Sequence, residues 1–234
     1  MKKAAAICMT LAMVVSLSAG FTSLADDQTA LGRVLEKGKL VVATDAAWPP
    51  FEYMEGENVV GVDLDIAKDI ADGLGVDLEI INVSFDSLSM YLENGEADLA
   101  LAAITVTEDR ADAMEFSEPY CESSQYIVVK EDNDDVKSID DLAGYTVGVH
   151  LGTTGDFLIS DEVNMGVLAG SGASVQQYKD LTIAYETLVV SVTAAFAIFI
   201  PSVGITYTTL RNDKISAIPL FSKFFPFFIF YPPS

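Results

Sequence analysis

One arginine stands where arginine is least expected. The run Leu99-Ala-Leu-Ala-Ala-Ile-Thr105-Val-Thr107-Glu-Asp-Arg110-Ala-Asp112 reads as an apolar strand that stops at hydroxyl residues, followed by Thr107 as an N-cap and a short helix. Arg110 falls in the first turn of that helix, whose positive end prefers acids. A guanidinium there has two uses. It can hold a small carboxylate with two parallel hydrogen bonds beside strand-end hydroxyls and free N–H groups, or it can pair with Glu108 or Asp112 on a solvated face. A second cluster of the same kind, Gly152-Thr153-Thr154-Gly155, sits where another strand gives way to a helix; it is an anion socket or a plain turn. Aromatic residues complete the set. Asp45-Ala-Ala-Trp48-Pro-Pro-Phe51-Glu52 is broken by two prolines, which leaves Trp48 and Phe51 on a loop as candidate pocket walls or core plugs, one of each being favoured.

These groups need a scaffold that brings loops together, and the surrounding pattern supplies one. Leu40–Thr44 is a continuous apolar run suited to a strand buried on both faces. Asp63 caps a helix with Leu64, Ala67, Ile70, Ala71 and Leu74 on one face, ended by Gly75. Val76–Asn82 is a strand, Leu88, Tyr91 and Leu92 face inward from a second helix, and residues 98–104 are a third strand. Strand, helix, strand, helix, strand is a βαβαβ unit with parallel crossovers. Residues 114–120 are an extended link, 125–130 a strand, and 145–149 open a second α/β unit. Two such units, each with a socket at a strand end, predict two lobes with a cleft between them.

Length and charge narrow the function. The chain has 234 residues and a formal charge of −22. Lys2-Lys3, the apolar run from Ala4 to Leu17 and Ser23-Leu-Ala25 read as a secretory signal peptide cut before Asp26, which makes the mature charge −24 (11 basic minus 35 acidic residues). Such acidity excludes a nucleic-acid rider or an anionic-membrane binder. Cys8 lies inside the signal, so only Cys121 remains and no internal disulfide forms. The acidic run 131–135 lacks the spacing of a calcium loop. His150, the only histidine, has no His or Cys partner in sequence and is expected to pack at an edge; no metal and no cofactor are expected.

Trp48-Pro-Pro-Phe51-Glu52, Gly61-Val-Asp63-Leu-Asp65-Ile-Ala67, Ala103-Ile-Thr105-Val-Thr107-Glu-Asp-Arg110 and Val147-Gly-Val-His-Leu-Gly-Thr153-Thr154, in that order, resemble the extracellular solute-binding proteins that feed polar amino acids to ABC importers. The resemblance implies an α/β, two-lobe periplasmic-binding-protein-like fold (type II). It also implies a monomer outside the cytoplasm that takes up an amino acid and hands it to a membrane permease. In that family the position of Arg110 clamps the α-carboxylate, helped by the main chain at Ala103 and by the positions of Thr105 and Thr153 or Thr154. The positions of Trp48 and Phe51 stack on the ligand side chain. Asp45 falls where some members set an acid against a cationic side chain, which favours Lys, Arg or His; it otherwise caps its loop.

The expected division is 1–25 signal peptide, 26–118 lobe one, 119–188 hinge and partial lobe two, and 189–234 an apolar tail outside the resemblance. The family's α-ammonium partner, an Asp in a Gly-x-x-Asp-Ala segment, has no counterpart after Leu188, so an aberrant or truncated C-terminal part and an incomplete second lobe are expected. The uncharged stretch Thr187–Leu210 is long enough to span a bilayer, which keeps a membrane-tethered sensor or permease-fused domain as an alternative. The other alternative is an enzyme on the same fold, similar to cyclohexadienyl dehydratases. It would need Glu52 or His150 as acid or base, and neither has an activating partner in sequence.

Overall fold

The computed structural model describes residues 29–130, 132–181, 183–184, 187, 194–201, 215–219 and 226–230. The expected signal peptide lies outside them. A helix, α1 (Ala30–Lys37), leads into β1 (Lys39–Thr44). Every residue of β1 after Lys39 is buried. Val41 and Ala43 join one core with Leu88, Leu92, Ala100 and Ile104, while Leu40 and Val42 join another with Ala67, Ala71, Leu99 and Leu101. Both faces are covered, which is why the strand reads as unbroken apolar sequence and not as an alternation.

The coverings are the expected crossovers: α2 (Val62–Leu74) before β5 (Asp77–Asn82), and α3 (Leu88–Glu93) before β6 (Leu99–Thr105). Strand β1 pairs in parallel with β5 and with β6. Between β1 and α2 the chain makes a small antiparallel sheet not foreseen in the sequence, β2 (Ala47–Trp48), β3 (Glu52–Glu55) and β4 (Asn58–Val60). It carries the aromatic loop back over the strand ends. The N-cap of α2 is Gly61, so Asp63 is not the cap; its carboxylate turns inward instead.

After α4 (Glu108–Ala113) and β7 (Glu115–Phe116), β8 (Ser123–Lys130) enters the second lobe. There β9 (Thr146–His150), α5 (Thr154–Asn164) and β10 (Ser174–Tyr178) form the second unit, over a core of Ile127, Val129, Leu142, Val147, Val149 and Ile159.

The segment from 189 onward adds strands to both lobes. β11 (Ala194–Pro201) lies between β9 and β8, β12 (Ile215–Pro219) flanks β8, and β13 (Pro226–Phe230) lies between β6 and β7. The two five-stranded sheets are therefore β5-β1-β6-β13-β7 and β10-β9-β11-β8-β12. The chain returns to the first lobe between β12 and β13, a crossing not expected from the sequence. Apolar, β-branched and aromatic residues in this segment suit interior strands as well as they suit a bilayer, and composition alone does not separate the two. Among the described residues no helix is long and apolar enough to cross a membrane.

Candidate functional site: an arginine at the seam of two lobes

Thr107 caps α4 as its sequence implies, its hydroxyl accepting from the Arg110 N–H at 3.3 Å. This cap aims Arg110 back across the end of β6. Its Nη1 donates to the Thr105 carbonyl at 2.8 Å, and its Nη2 donates across the seam to the Gly152 carbonyl of the second lobe, also at 2.8 Å. The guanidinium carbon lies 5.4 Å from the centre of the Phe85 ring. Neither Glu108 nor Asp112 pairs with it. Among the described residues Arg110 makes no ion pair at all. Burial without a countercharge pulls its pKa down to about 10, so the group stays cationic at neutral pH. A desolvated guanidinium bonded only to carbonyl oxygens keeps a strong preference for an anion.

The second socket forms, in a different way from the open cluster of amides expected. Thr153 caps α5: its hydroxyl donates to the His150 carbonyl at 2.7 Å and accepts from the Asp156 N–H. Asp156, buried, takes the Gly152 N–H at 2.9 Å and the Gln177 amide. The Thr153 hydroxyl is thus committed to the cap. Thr154 accepts from Gln125 Nε2 at 2.8 Å and keeps its own hydroxyl proton to give.

Ala103 is also committed, contrary to the expected role of its main chain as a donor. Its N–H donates to Asp63 Oδ2 at 2.9 Å, and its φ of 47° is left-handed, unusual for a residue with a side chain. The Tyr120 hydroxyl donates to the same Asp63 oxygen at 3.1 Å. Asp63 therefore ties the start of α2, the bend in β6 and the link between lobes to one point. Glu52 is fully buried close to Asp63, and its Oε2 has no hydrogen-bond partner. Burial first, and the Asp63 charge second, push its pKa well above the usual carboxylate range.

A folded-state pKa raised above the unfolded one contributes stability that is present below the unfolded value and is lost as pH rises through the folded one. Glu52→Gln keeps the shape of the buried side chain and removes the titration. Its melting temperature relative to the wild-type protein is expected to rise by several degrees on going from acid to mildly alkaline pH; a constant difference across that range would contradict the assignment.

The aromatic pair divides as the proline loop suggests. Phe51 is buried at 3% exposure against Ala103 and Tyr120, and so plugs the core. Trp48 is half-buried and reaches the second lobe beside Leu181, Ala184 and Val128. Its ring is near-parallel to His150, at 11° with centroids 6.3 Å apart. His150 is not packed at an edge: it is 4% exposed at the seam, tilted against Phe85 and with Nε2 3.3 Å from Asp45 Oδ2. Asp45 is itself buried and accepts the Phe85 N–H at 3.0 Å, a bond to the segment after β5 and not to its own loop. Phe85 went unnoticed in the sequence because Ser84 and Asp86 mark only a helix start; its position between Arg110 and His150 follows from tertiary packing. Asp45, Trp48, Phe85 and His150 form an acid-floored aromatic nest beside Arg110, and a cleft of about 790 Å³ opens past Asp45 between Asn82, Ser84, Lys179 and the Pro49-Pro50 turn.

Residues 40–223 match the family model described as bacterial extracellular solute-binding proteins, family 3, a match that runs past the boundary at 188 expected from the motifs. The chain belongs to that family. It is 40% identical over 117 residues to the arginine-binding extracellular protein ArtP of Bacillus subtilis, covering 50% of this chain and 46% of that one. It is 32% identical over 183 residues to a probable histidine-binding protein of Neisseria gonorrhoeae, covering 73% and 66%. The chain thus spans about half to two thirds of the length of these curated relatives. The arginine-bound form of truncated ArgBP from T. maritima superposes with a TM-score of 0.75 at 31% identity, covering 86% of this chain and 91% of that one. The two-lobe α/β architecture of a family 3 solute-binding protein is therefore this chain's fold.

Proposed function

We propose that the mature protein captures a free amino acid with a cationic side chain outside the cytoplasm and delivers it to the permease of an ABC importer, as a monomer without a cofactor. The observation that carries this reading is Arg110: half-buried at the lobe seam, bonded to the carbonyls of Thr105 and Gly152, and without an acid among the described residues. An incoming α-carboxylate supplies the missing charge, and the Thr105 and Thr154 hydroxyls lie on the strand and helix ends that flank it. The ligand side chain then runs toward Trp48 and Phe85, with Asp45 facing its cation. An acid at one end and a guanidinium at the other repay the loss of hydration that a zwitterion suffers in a closed cleft. The likeness to an arginine-binding and a probable histidine-binding protein supports the same class. Because the two ends lie on different lobes, ligand favours the closed arrangement and shifts the population toward it.

The test is a thermal-shift screen of the exported form against the common amino acids near pH 8. L-arginine or L-lysine, cationic at that pH, is expected to raise the melting temperature, by mass action, more than residues with uncharged side chains do. Asp45→Asn is expected to weaken the basic ligand by about tenfold, some 1.4 kcal/mol, and to leave neutral ones nearly unchanged. No shift with any amino acid would overturn the reading. Catalysis has one observation on its side, the contact between His150 and Asp45, and release of product from prephenate or arogenate by the purified protein would replace capture with turnover.

A further inference from the structure

His150 is the member of the nest that comes from the second lobe, at the end of β9, whereas Asp45, Trp48 and Phe85 all come from the first. Its imidazole lies flat against the Trp48 ring and tilted to Phe85, over the one buried acid of the nest. That is the place and the chemistry offered to a planar cationic side chain. Both ring nitrogens are buried and neither makes a hydrogen bond: Nε2 is within ion-pair distance of Asp45 but out of line for a bond. A neutral imidazole held this way leaves two polar atoms unsatisfied, a costly arrangement. Protonation changes the balance, because the imidazolium gains an ion pair with Asp45 and a favourable position on two aromatic faces.

Resting on the capture reading, we propose that His150 is a specificity-determining gate, an internal stand-in for the ligand's cation that competes for Asp45 when protonated. In its neutral form it yields the nest to a cationic amino acid side chain. In its charged form it occupies the nest and repels that side chain. Other charged or titratable groups near it are Arg110, over the same Phe85 ring, Tyr178, in register with it on β10, and the Lys179–Asp86 pair, which joins the same two segments at 3.1 Å. Arg110, Lys179 and Asp86 are already engaged with other groups, and Asp45 is the acid in contact with the ring. Uptake of a basic amino acid would then be selective for neutral or alkaline surroundings, while ligands with uncharged side chains, which do not need Asp45, would be less affected.

Trp48 is the chain's only tryptophan, so its emission reports on the stacked imidazole directly. Protonated imidazole quenches an indole in contact with it. Without ligand, the emission of the wild-type protein is expected to fall along a single-site curve as the solution is acidified from about pH 8 to about pH 5.5. His150→Gln is expected to give a flat profile. Asp45→Asn, which leaves the ring in place but removes its acid, is expected to move the midpoint to lower pH. A flat wild-type profile, an unchanged profile in His150→Gln, or an Asp45→Asn midpoint that stays put or rises would overturn the proposal. In the ligand arm, the Kd for L-arginine is expected to rise at least about tenfold over the same interval in the wild-type protein and less than about threefold in His150→Gln. Equal pH dependence in the two proteins would overturn it as well. Failure of L-arginine to bind at any pH, with the quench and its two variants behaving as stated, would sink the capture reading and the gate with it, and leave only the protonation-dependent His150–Asp45 contact standing.

Discussion

Arg110→Ala is expected to abolish the amino-acid-induced rise in melting temperature and to weaken binding by two to three decades. The magnitude follows from the surroundings. Arg110 is half-buried, and a ligand carboxylate closing over its guanidinium completes a desolvated ion pair; removing one partner of such a pair costs about 3–5 kcal/mol because the other charge is left without compensation. Exposed pairs are worth far less, so a small effect would indicate that the ligand does not reach this residue. Arg110→Lys separates charge from geometry. Lysine keeps the cation but loses the planar fork that reaches Thr105, Gly152 and a carboxylate together, so an intermediate loss of about 1.5–3 kcal/mol is expected. Calorimetric titration of both variants checks the values, and circular dichroism confirms that the first lobe is intact. That control is meaningful because Arg110 extends from a six-residue helix at the edge of the lobe and contributes nothing to either core cluster.

Gly61→Ala is expected to be the most damaging conservative change in the first lobe. Gly61 has φ of 132°, a conformation closed to other residues, and a Cβ there would stand 2.1 Å from the Phe51 carbonyl oxygen and 2.8 Å from that of Pro50. The approach is close because Val62 and Asp63 donate their N–H groups to those same two carbonyls, at 3.1 and 2.9 Å. The glycine thus holds the Trp48–Phe51 loop against the start of α2. A side chain forces the loop away, breaks both bonds and displaces Trp48 from the seam. A loss of about 3 kcal/mol or more is expected, lowering the melting temperature by roughly 6–12 °C, together with weaker binding. Gly73→Ala, inside α2 with open space around its Cβ, is the matched control and is expected to be neutral or to stabilise slightly.

Local pattern carried most of the first lobe. Residues of β1 and β6 that alternate between two apolar cores leave a sequence with no polar positions, and only a parallel sheet between helices fits that, so the βαβαβ unit was legible. The Thr107 cap and the position of Arg110 were legible for the same reason, since a cap acts within three residues. What was hidden depends on contacts distant in sequence. The carboxylate of Asp63 looked like a helix cap and is instead bound to Ala103 and Tyr120. Ala103 looked available to a ligand and is held by that same carboxylate. His150 looked inert because its partners, Asp45, Trp48 and Phe85, stand on the other lobe, and no spacing along the chain relates them. The apolar run after 189 suits a bilayer and a sheet interior alike, and β11 and β13 take interior positions in the two sheets.

The most direct test of the account is calorimetric titration of the wild-type protein with L-arginine and, in parallel, with L-argininamide, whose carboxylate is replaced by an uncharged amide. With Arg110 as the clamp, the amide should bind at least a hundredfold more weakly, about 2.7 kcal/mol, and Arg110→Ala should no longer distinguish the two ligands. Equal affinity of the wild-type protein for acid and amide would show that the Arg110 guanidinium does not hold the ligand's carboxylate, and would contradict capture by this residue.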